Sequence, residues 1–318
     1  MRARTGILLI NLGTPEAPTV PAVRKYLKEF LCDPDVITLP FIFRYLLVYF
    51  FILPFRPKQS AHAYQQIWTD QGSPLLVNSA KLKTALEKKL GGNFCVALGM
   101  RYGRPAIQSA IDLLLKNNCE KIIILPLFPQ YANATSGSAL KKCTKIAGNK
   151  NIKSEIIRDF CNQDFYINSY AEIIKNSLEK NPADFLMFSY HGLPERQIDS
   201  KNYQAQCFST TKLITEKLNL GESKFATTFQ SRLGRTKWIG PYTDLYLLQL
   251  IQNGVKKLSV VCPSFVCDCL ETLEEINIRL KNQWLALGGE SFQIISCLND
   301  HENWINNLSE FISQATLQ

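Results

Sequence analysis

Residues 121–131 read KIIILPLFPQY, an apolar run that stops at a proline and a polar turn. A strand made of KIIILPLF is apolar on both faces, which is typical of parallel sheets covered by helices on both sides. Seven other short apolar runs along the chain also end in turns. They are residues 7–12, 94–99, 152–157, 185–190, 225–229, 257–262 and 293–297. The pattern predicts strands buried on both faces along the whole chain.

Amphipathic helical stretches separate these runs. In residues 105–116, Ile107, Ile111 and Leu114 recur at the spacing that places them on one helix face. Stretches with the same spacing are residues 79–90, 207–218, 243–252 and 270–286, and a last helix is predicted over 302–312. This alternation of strands and helices predicts an α/β fold with a doubly wound parallel sheet.

A chain of 318 residues is long enough for two domains. The polar turn GNKN at 148–151 predicts a boundary that separates residues 1–150 from residues 151–318. Each half is expected to form a roughly four-stranded parallel sheet flanked by helices. The final helix is expected to pack back onto the first half.

Composition narrows the class of protein. Hydrophobic residues make up 46% of the chain and charged residues 20%, which excludes a disordered protein. The net charge of +9 favours an anionic partner, but no Lys/Arg run is longer than two or three residues, so no nucleic acid partner is expected. The ten cysteines are scattered and the amino terminus lacks an export signal, so a cytoplasmic location with free thiols is expected.

Residues 39–55, LPFIFRYLLVYFFILPF, are the one candidate for a membrane segment. The uninterrupted apolar part, Tyr45 to Leu53, has nine residues, whereas a spanning helix needs about 20. Two interpretations stay open. The segment is a buried or half-buried helix, or it is an apolar lip whose aromatic side chains, beside Arg44 and Arg56, touch a bilayer surface or a flat ligand that carries carboxylates.

In doubly wound sheets, functional residues concentrate at the carboxyl ends of the strands. His191 holds such a position, directly after FLMFSY. Glu271 and Glu275 lie four residues apart, which places them on one helix face after a later strand. Imidazole and carboxylate together suit first-row divalent ions such as Fe²⁺. The alternatives are a structural histidine and a capping box in which Asp268 and Glu271 begin the helix.

Two further groups follow strands and place a cation beside hydrogen-bonding side chains, as carboxylate binding requires. They are Arg101 with Tyr102, and residues 230–232, QSR. Trp238 offers a surface on which a planar ring can stack. Solvated loops and a core tryptophan are the alternatives. Neither a glycine-rich nucleotide motif nor a hydrolase elbow occurs in the sequence.

Seven segments, in this order, resemble the ferrochelatase family over essentially the whole chain. They read NLGTP, YQQIWTDQGSPLL, MRYGRP, LPLFPQYANATSGS, FSYHGLPER, FQSRLGRTKWIGPYTD and VVCPSFVCDCLETLEEI. The resemblance implies two Rossmann-like, chelatase-type halves with an active-site cleft between them. It also implies a lyase that inserts Fe²⁺ into protoporphyrin IX to give protohaem, with release of two protons, as the last step of haem biosynthesis.

Matched position by position, the resemblance implies roles for eight residues. His191 and Glu271 match the pair that binds the iron, and Glu275 matches a second acidic position on a proton or metal path, so these three form the implied catalytic set. The residues that match the porphyrin-binding side are Arg101, Tyr102, Trp238, Leu12 and Tyr64.

The sequence departs from the family pattern at two positions and at its end. Leu12 stands where some members carry methionine or tyrosine, so no axial iron ligand is expected from that side. Cys269 stands where some members carry histidine. Some members hold an iron–sulfur cluster in a C-terminal extension, but this chain ends at SQATLQ and no cluster is expected. The spacing of Cys262, Cys267 and Cys269 matches no common metal signature, which favours buried thiols.

Several alternatives stay open at the level of sequence. The porphyrin is protoporphyrin IX or coproporphyrin III, and His191 binds the metal or accepts a pyrrole proton. Peripheral membrane contact and the oligomeric state are undecided. The competing functions are a chelatase for another metal such as cobalt, a porphyrin carrier without chelatase activity, and a membrane-surface protein that uses residues 39–55.

Overall fold

The structure is a computed structural model that describes residues 4–150, 152–234 and 236–315. The chain divides into two compact units, the first formed by the chain up to Asp159 and the second by Phe160–Gln314. The sequence places the boundary earlier, at 150/151, where Asn151 lies outside the described residues. The boundary of the structure is later because the strand after the GNKN turn pairs with the first sheet.

The first unit contains four strands and six α-helices. The strands are β1 (Arg4–Gly13), β2 (Phe94–Tyr102), β3 (Cys119–Pro126) and β4 (Lys153–Ile156). The helices are α1 (Val20–Leu31), α2 (Phe41–Leu46), α3 (Arg56–Ile67), α4 (Pro74–Leu90), α5 (Ile107–Lys116) and α6 (Ser138–Asn149). Short π-helical segments, Leu47–Ile52 and Asn133–Gly137, continue α2 and precede α6.

The second unit repeats this composition. Its strands are β5 (Phe185–His191), β6 (Phe225–Gln230), β7 (Lys257–Val261) and β8 (Ser291–Ile294). Its α-helices are α7 (Asp164–Lys180), α8 (Ser200–Lys217), α9 (Thr243–Gln252), α10 (Lys281–Ala286) and α11 (Glu302–Ala315). A π-helix, Glu271–Leu280, runs directly into α10, and a 3₁₀ turn, Glu222–Lys224, precedes β6.

Both sheets have the same strand order. The first is β2-β1-β3-β4, the second is β6-β5-β7-β8, and every pairing is parallel. The predicted α/β class with two four-stranded parallel sheets is therefore confirmed. In each unit the second strand in this order is central, so β1 and β5 occupy equivalent places.

Burial explains why the apolar runs form these strands. Residues 7–10 of β1 are completely buried, since helices cover both faces of the sheet. The predicted face of α5 is confirmed, because Ile107, Ile111 and Leu114 are buried against the sheet. Equivalent packing in the second unit places Leu247 of α9 and Trp284 of α10 in one core with β5 and β7. Each unit thus has its own apolar core.

The segment at residues 39–55 forms α2 and the following π-helical turn. Only Arg44, Val48 and Leu53 of this segment are buried. Most of its large apolar side chains face solvent; Phe50 and Phe51, for example, are 67% and 69% exposed. We call residues 39–55 the apolar lip. Within the described residues, no helix has the length and apolarity required to cross a bilayer.

The final helix, α11, packs inside the second unit. Trp304 stacks on Phe165 of α7, and Asn307 donates a hydrogen bond to Ser169 of the same helix at 3.0 Å. The sequence-based expectation placed this helix on the first half. Within the second unit, the aromatic residues of α7 provide the apolar surface that the buried face of α11 requires, and the expected contact with the first half stays a prediction.

Candidate active site

His191 ends β5, at the centre of the second sheet, and three contacts fix it. Its N–H donates to Ser264 Oγ at 3.0 Å, and its carbonyl accepts the hydroxyl of Tyr203 at 2.8 Å. Its ring nitrogen Nδ1 lies 2.7 Å from the carbonyl oxygen of Gly192. A carbonyl only accepts, so Nδ1 carries the hydrogen and Nε2 keeps its lone pair. Nε2 has no hydrogen-bond partner among the described residues.

Trp238 packs beside Gly192, the residue that follows this histidine. A Cβ added to Gly192 would lie 3.3 Å from Cε3 of Trp238 and 2.9 Å from the carbonyl oxygen of Gln230. The indole Nε1 donates to the carbonyl of Leu233 at 2.9 Å, which fixes the ring orientation. Only glycine therefore fits at position 192, and the half-buried tryptophan ring lies next to the end of β5.

Glu275 is held by the residue that follows β6. Its two carboxylate oxygens accept the N–H and the hydroxyl of Ser231 at 2.8 and 2.6 Å. Ser231 has a φ of 67°, a left-handed conformation that is strained for a residue with a Cβ. Burial raises the pKa of Glu275, against the opposing effects of Ser231, His191 and Arg279. Because Ser231 directly follows Gln230, which pairs with His191 in the sheet, Glu275 lies at the same sheet edge as the imidazole.

Glu271 opens the π-helix that carries Glu275. Its carbonyl accepts the side-chain amide of Gln230 at 3.0 Å, and its carboxylate accepts the thiol of Cys269. Gln230 pairs with His191 in the sheet. The structure therefore brings His191, Glu271 and Glu275 to one edge of the second sheet. Single π-helical turns of this kind are frequent at functional sites.

A buried polar network supports this edge. The hydroxyl of Ser189 donates to Oε1 of Gln230 at 2.6 Å and lies 2.9 Å from the hydroxyl of Thr243. The thiol of Cys262 lies 3.6 Å from the same oxygen. These donors fix the amide of Gln230 with its nitrogen towards Glu271, so the π-helix and β6 are held in register.

The sequence left open a capping box in which Asp268 and Glu271 begin the helix, and the structure shows other hydrogen bonds for Asp268. The carboxylate of Asp268 accepts the hydroxyl of Thr272 at 2.9 Å and the side-chain amide of Asn299 at 2.6 Å. Its partner within the helix is thus a side chain four residues later, and the carboxylate of Glu271 plays no part in these bonds. Asp268 ties the start of the π-helix to the loop before α11.

The cysteines near this edge are buried free thiols. Burial raises the pKa values of Cys262 and Cys269 well above the usual value, so both are protonated at neutral pH. The thiolate is the form that binds metals, which leaves these sulfurs as packing groups. Within the described part of the chain, no three His, Cys, Asp or Glu side chains cluster as a metal site would require.

In the first unit, Arg101 and Tyr102 end β2 and bind one carboxylate. Asp33 Oδ2 accepts hydrogen bonds from the Arg101 guanidinium, from the Tyr102 hydroxyl at 2.8 Å and from Ser138 Oγ at 2.7 Å. Its other oxygen accepts the N–H of Asp35 at 2.8 Å. We call Asp33, Arg101, Tyr102 and Ser138 the Asp33 cluster.

Electrostatics stabilise the Asp33 cluster as an ionised pair. Burial alone raises the pKa of Asp33, but the hydrogen bonds from Asp35, Ser138 and Tyr102 and the charge of Arg101 outweigh it and lower the pKa. Tyr102 is 1% exposed, and burial raises its pKa far above the usual value. Another carboxylate can bind Arg101 only in competition with Asp33 and Ser138.

The remaining predicted contacts of the first unit lie on different elements. Leu12 is half-buried near the end of β1, one residue before Gly13, which pairs with Tyr102. Tyr64 lies on α3, buried, with its ring edge against Trp68 at 6.0 Å.

Sequence reasoning missed two residues that organise these sites. Ser231 appears in the sequence only as part of QSR, and its strained backbone has no sequence signal because serine is not a typical left-handed residue. Asp33 lies in an unremarkable loop, 68 residues from the arginine it binds. Arg232, the cation that the sequence offered, donates to Asp244 at 2.7 Å and lies over the ring of Tyr242.

Comparison with known proteins adds an independent observation. A family model described as Ferrochelatase matches residues 4–316. A ferrochelatase of Coxiella burnetii (strain Dugway 5J108-111) is 48% identical over 98% of this chain and 94% of its own length. A ferrochelatase of Legionella pneumophila (strain Lens) is 47% identical over 98% of this chain and 99% of its own length.

Solved structures share the fold at much lower identity. SirB from Bacillus subtilis with Fe³⁺ superimposes with a TM-score of 0.59 at 10% identity, over 98% of this chain and 95% of that chain. The sirohydrochlorin chelatase SirB from Bacillus subtilis subspecies spizizenii in complex with cobalt gives a TM-score of 0.57 at 10% identity, over 98% and 94%. At this identity the similarity concerns the fold alone.

Proposed function

The chain belongs to the ferrochelatase family, and we propose that it inserts Fe²⁺ into protoporphyrin IX at the edge of the second sheet that carries His191. Iron insertion into a porphyrin for haem synthesis is the activity of this family, so the protein is a lyase of the porphyrin metal chelatase type. The proposal concerns the oxidation state of the metal, the identity of the porphyrin and the residues that act.

Iron insertion requires groups whose lone pairs can accept two protons. A free porphyrin carries two pyrrole N–H groups, and Fe²⁺ replaces both hydrogens, so one iron enters and two protons leave. A flat macrocycle keeps its nitrogen lone pairs in the ring plane. Binding energy at the ring edges that bends the macrocycle directs these lone pairs towards the incoming metal.

His191 supplies the first electron pair, and this is the observation that carries the proposal. The Gly192 carbonyl fixes the hydrogen on Nδ1, so the lone pair is on Nε2, which is free of partners in the described structure. That lone pair either binds the iron before transfer or accepts a pyrrole proton. Both roles use this lone pair, so protonation of the ring abolishes activity.

Glu271 and Glu275 supply carboxylates on the same side. Glu275 is half-buried at the same sheet edge as His191, so a proton that reaches the imidazole has an acceptor on that edge. Glu271 stands one helical turn before it, and within the described residues its carboxylate has the weak thiol donor of Cys269 as a partner. We assign Glu271 to the iron with His191, and Glu275 to the removal of protons.

The apolar lip supports protoporphyrin IX over coproporphyrin III. Two vinyl groups make protoporphyrin IX and its haem product more apolar than the more highly carboxylated alternative. Exposed aromatic side chains such as Phe41, Phe50 and Phe51 suit an apolar substrate or product. The same surface supports a cytoplasmic protein that contacts a membrane peripherally through the lip.

Anaerobic insertion assays test the proposal. Purified protein is mixed with Fe²⁺ and each porphyrin in detergent, and haem formation is followed by absorbance. We expect faster turnover with protoporphyrin IX. Faster turnover with coproporphyrin III would contradict the substrate assignment, and preference for Co²⁺ or Zn²⁺ in metal competition would contradict the iron assignment. Porphyrin binding without any metal-dependent change would indicate a carrier.

A further inference from the structure

The loop that follows β7 lies against His191. Ser264 Oγ accepts the N–H of His191 at 3.0 Å. The ring of Phe265 meets the imidazole edge-on, with 6.3 Å between the ring centres and 63° between the planes. We call Pro263, Ser264 and Phe265 the histidine loop. One residue of this loop therefore fixes the backbone of His191, and the next packs against its ring.

Two tyrosines of α7 donate hydrogen bonds to carbonyls of the histidine loop. The hydroxyl of Tyr166 donates to the carbonyl of Pro263, and the hydroxyl of Tyr170 donates to the carbonyl of Phe265 at 2.6 Å. The two tyrosines stand four residues apart, which places them on one face of α7. Their rings pack edge to face with 5.2 Å between the centres. One helix therefore holds the histidine loop at both of its ends.

The surroundings of the two tyrosines strengthen this attachment. Both side chains are completely buried. Hydrogen bonds gain strength in a low local dielectric, because water competes less for the partners. Burial raises the pKa of Tyr170 well above its usual value, so its hydroxyl keeps the proton that it donates. Replacing Tyr170 by phenylalanine would remove this donor and leave the shape of the ring unchanged.

A third buried tyrosine belongs to the same network. Tyr203 of α8 donates to the carbonyl of His191 at 2.8 Å, and its hydroxyl is also hydrogen-bonded to Ser264. The backbone of His191 is thus held at its N–H by the histidine loop and at its carbonyl by α8. Phe265 is the member of the histidine loop that packs against the imidazole ring, and Tyr170 is the residue that holds the backbone of Phe265.

From these contacts we propose that Tyr170 is a positioning residue for iron insertion, which sets the orientation of the His191 imidazole through Phe265. The inference rests on the proposed role of His191 and adds a buried residue that acts through the histidine loop. Orientation matters because a misplacement of a reacting group by about 1 Å costs up to about 100-fold in rate. A purely structural tyrosine would lower the stability of the second unit and leave the imidazole in its place.

Nuclear magnetic resonance of the histidine rings tests the orientation without iron or porphyrin. The chain has three histidines, so the spectrum of His191→Ala assigns the signals of His191 by their loss. In Tyr170→Phe we expect the ring signals of His191 to shift, while those of His62 and His301 stay in place. Unchanged signals of His191 would overturn the proposal.

Tyr190→Phe is the matched control. Tyr190 is also completely buried in the second unit, and its hydroxyl lies 3.0 Å from that of Thr211. It precedes His191 in β5, so the two side chains point to opposite faces of the sheet. Both variants should unfold at lower urea concentrations than the wild type, but Tyr190→Phe should leave the ring signals of His191 in place. Equal shifts in the two variants would show a general effect of a lost buried hydrogen bond and would refute the assignment of Tyr170.

Kinetics connect the orientation of the ring to the reaction. In the anaerobic insertion assay, Tyr170→Phe should lower kcat about 10-fold and leave the KM for porphyrin unchanged, since porphyrin binding does not depend on the imidazole orientation. In a His191→Ala background the same substitution should have no further effect, because the imidazole through which it acts is gone. Equal losses in both backgrounds would contradict the proposal.

The two measurements separate this inference from the proposed function. If no preparation inserts iron but Tyr170→Phe shifts the ring signals of His191, the enzymatic assignment fails and the positioning of the ring by Tyr170 stands. If the wild type inserts iron and Tyr170→Phe does so at the same rate, the positioning role fails alone.

Discussion

The edges of the two sheets have the same topology and opposite chemistry. Gly13 of β1 pairs with Tyr102 in the first unit, and His191 of β5 pairs with Gln230 at the equivalent place in the second. In the first unit, the polar side chains bind each other through Asp33. In the second, His191 keeps an electron pair without a partner in the described structure.

This difference shows how a repeated scaffold separates stability from reactivity. The Asp33 carboxylate accepts hydrogen bonds from four donors, and one of these, Arg101, is also its ion-pair partner. These bonds hold three chain segments together. A strained Ser231 and a half-buried carboxyl at the same sheet edge as an imidazole are costly arrangements, which persist where the surrounding structure enforces them. The motif residues of the first unit are therefore interpreted as structural support, and those of the second unit as reactive groups.

The largest effect is expected from removing the free electron pair. His191→Ala should lower the rate of iron insertion by about 100-fold or more, because proton transfer or metal handling by a positioned side chain contributes about 10²–10⁴-fold. The rate is measured anaerobically by absorbance. His62→Ala, at an exposed histidine of α3, is the control and should retain normal activity. Near-normal activity in His191→Ala would contradict the interpretation that the second unit carries the reactive groups.

Glu271→Gln tests the partner carboxylate. Turnover should fall by on the order of 100-fold while porphyrin affinity changes little, because the amide keeps the shape and loses the charge that binds iron. Turnover and porphyrin fluorescence quenching measure the two quantities separately. Glu274→Gln is the control, since Glu274 pairs with Arg279 at 2.9 Å on the same helix. Parallel losses of binding and turnover would assign Glu271 a structural role instead.

Asp33→Asn tests the Asp33 cluster, whose polar side chains bind each other at the edge of the first sheet. The free energy of unfolding should fall by about 2–3 kcal/mol, because Arg101 keeps a largely buried charge without its partner. Urea denaturation measures the loss. Asp35→Asn removes only the bond to an exposed Lys141 and should cost less than about 1 kcal/mol. Equal losses in the two variants would mean that the Asp33 cluster contributes no more to the free energy of unfolding than the pair of Asp35 and Lys141 does.

The pH dependence of the Asp33 variant follows from the sign of its shift. The pKa of Asp33 is lowered from 3.8, so its stabilising effect is fully present above that pH and is lost as pH falls through the lower folded-state pKa. The stability difference between wild type and Asp33→Asn should therefore narrow in strong acid. A difference independent of pH would contradict the ionised pair.

The smallest effect is expected from Ser231→Ala. The hydroxyl stabilises the charged form of Glu275, so its loss raises the pKa of that carboxyl further, and the acid limb of the rate profile moves to higher pH. The rate at neutral pH should fall only a few-fold, on the order of one lost hydrogen bond. Ser231→Gly also removes the hydroxyl but relieves the left-handed backbone. An unchanged acid limb in both variants would exclude Glu275 from the proton path.

Much of the fold could be predicted because its signal is local. Apolar runs such as residues 121–128 became β3 and neighbouring strands, since burial on both faces demands a continuous apolar sequence. The helical face of α5 followed from its spacing in the same way. Strand β4 was predicted, but its unit was not, because a polar turn marks a bend in the chain and carries no information about which sheet the next strand joins.

The candidate site residues of the second unit show what the position of a residue at a strand end can predict about a site and what it cannot. His191, Glu271 and Glu275 were chosen from strand ends and helix spacing, and the structure brings them to one sheet edge. Ser231 was chosen only as one residue of QSR, and its bond to Glu275 could not be predicted, because that bond depends on a backbone angle and on a carboxylate 44 residues away. The roles of these residues in iron insertion remain the predictions stated above.

The sequence alone determined the fold class, the two parallel sheets and the family, because periodicity and contiguous motifs are properties of neighbouring residues. Only the tertiary structure decided that Arg101 and Tyr102 bind Asp33 and that Nε2 of His191 has no hydrogen-bond partner among the described residues. It also decided that the apolar lip faces solvent. These facts depend on hydrogen bonds and burial between segments far apart in the chain, where side chains compete for partners that the order of residues does not reveal.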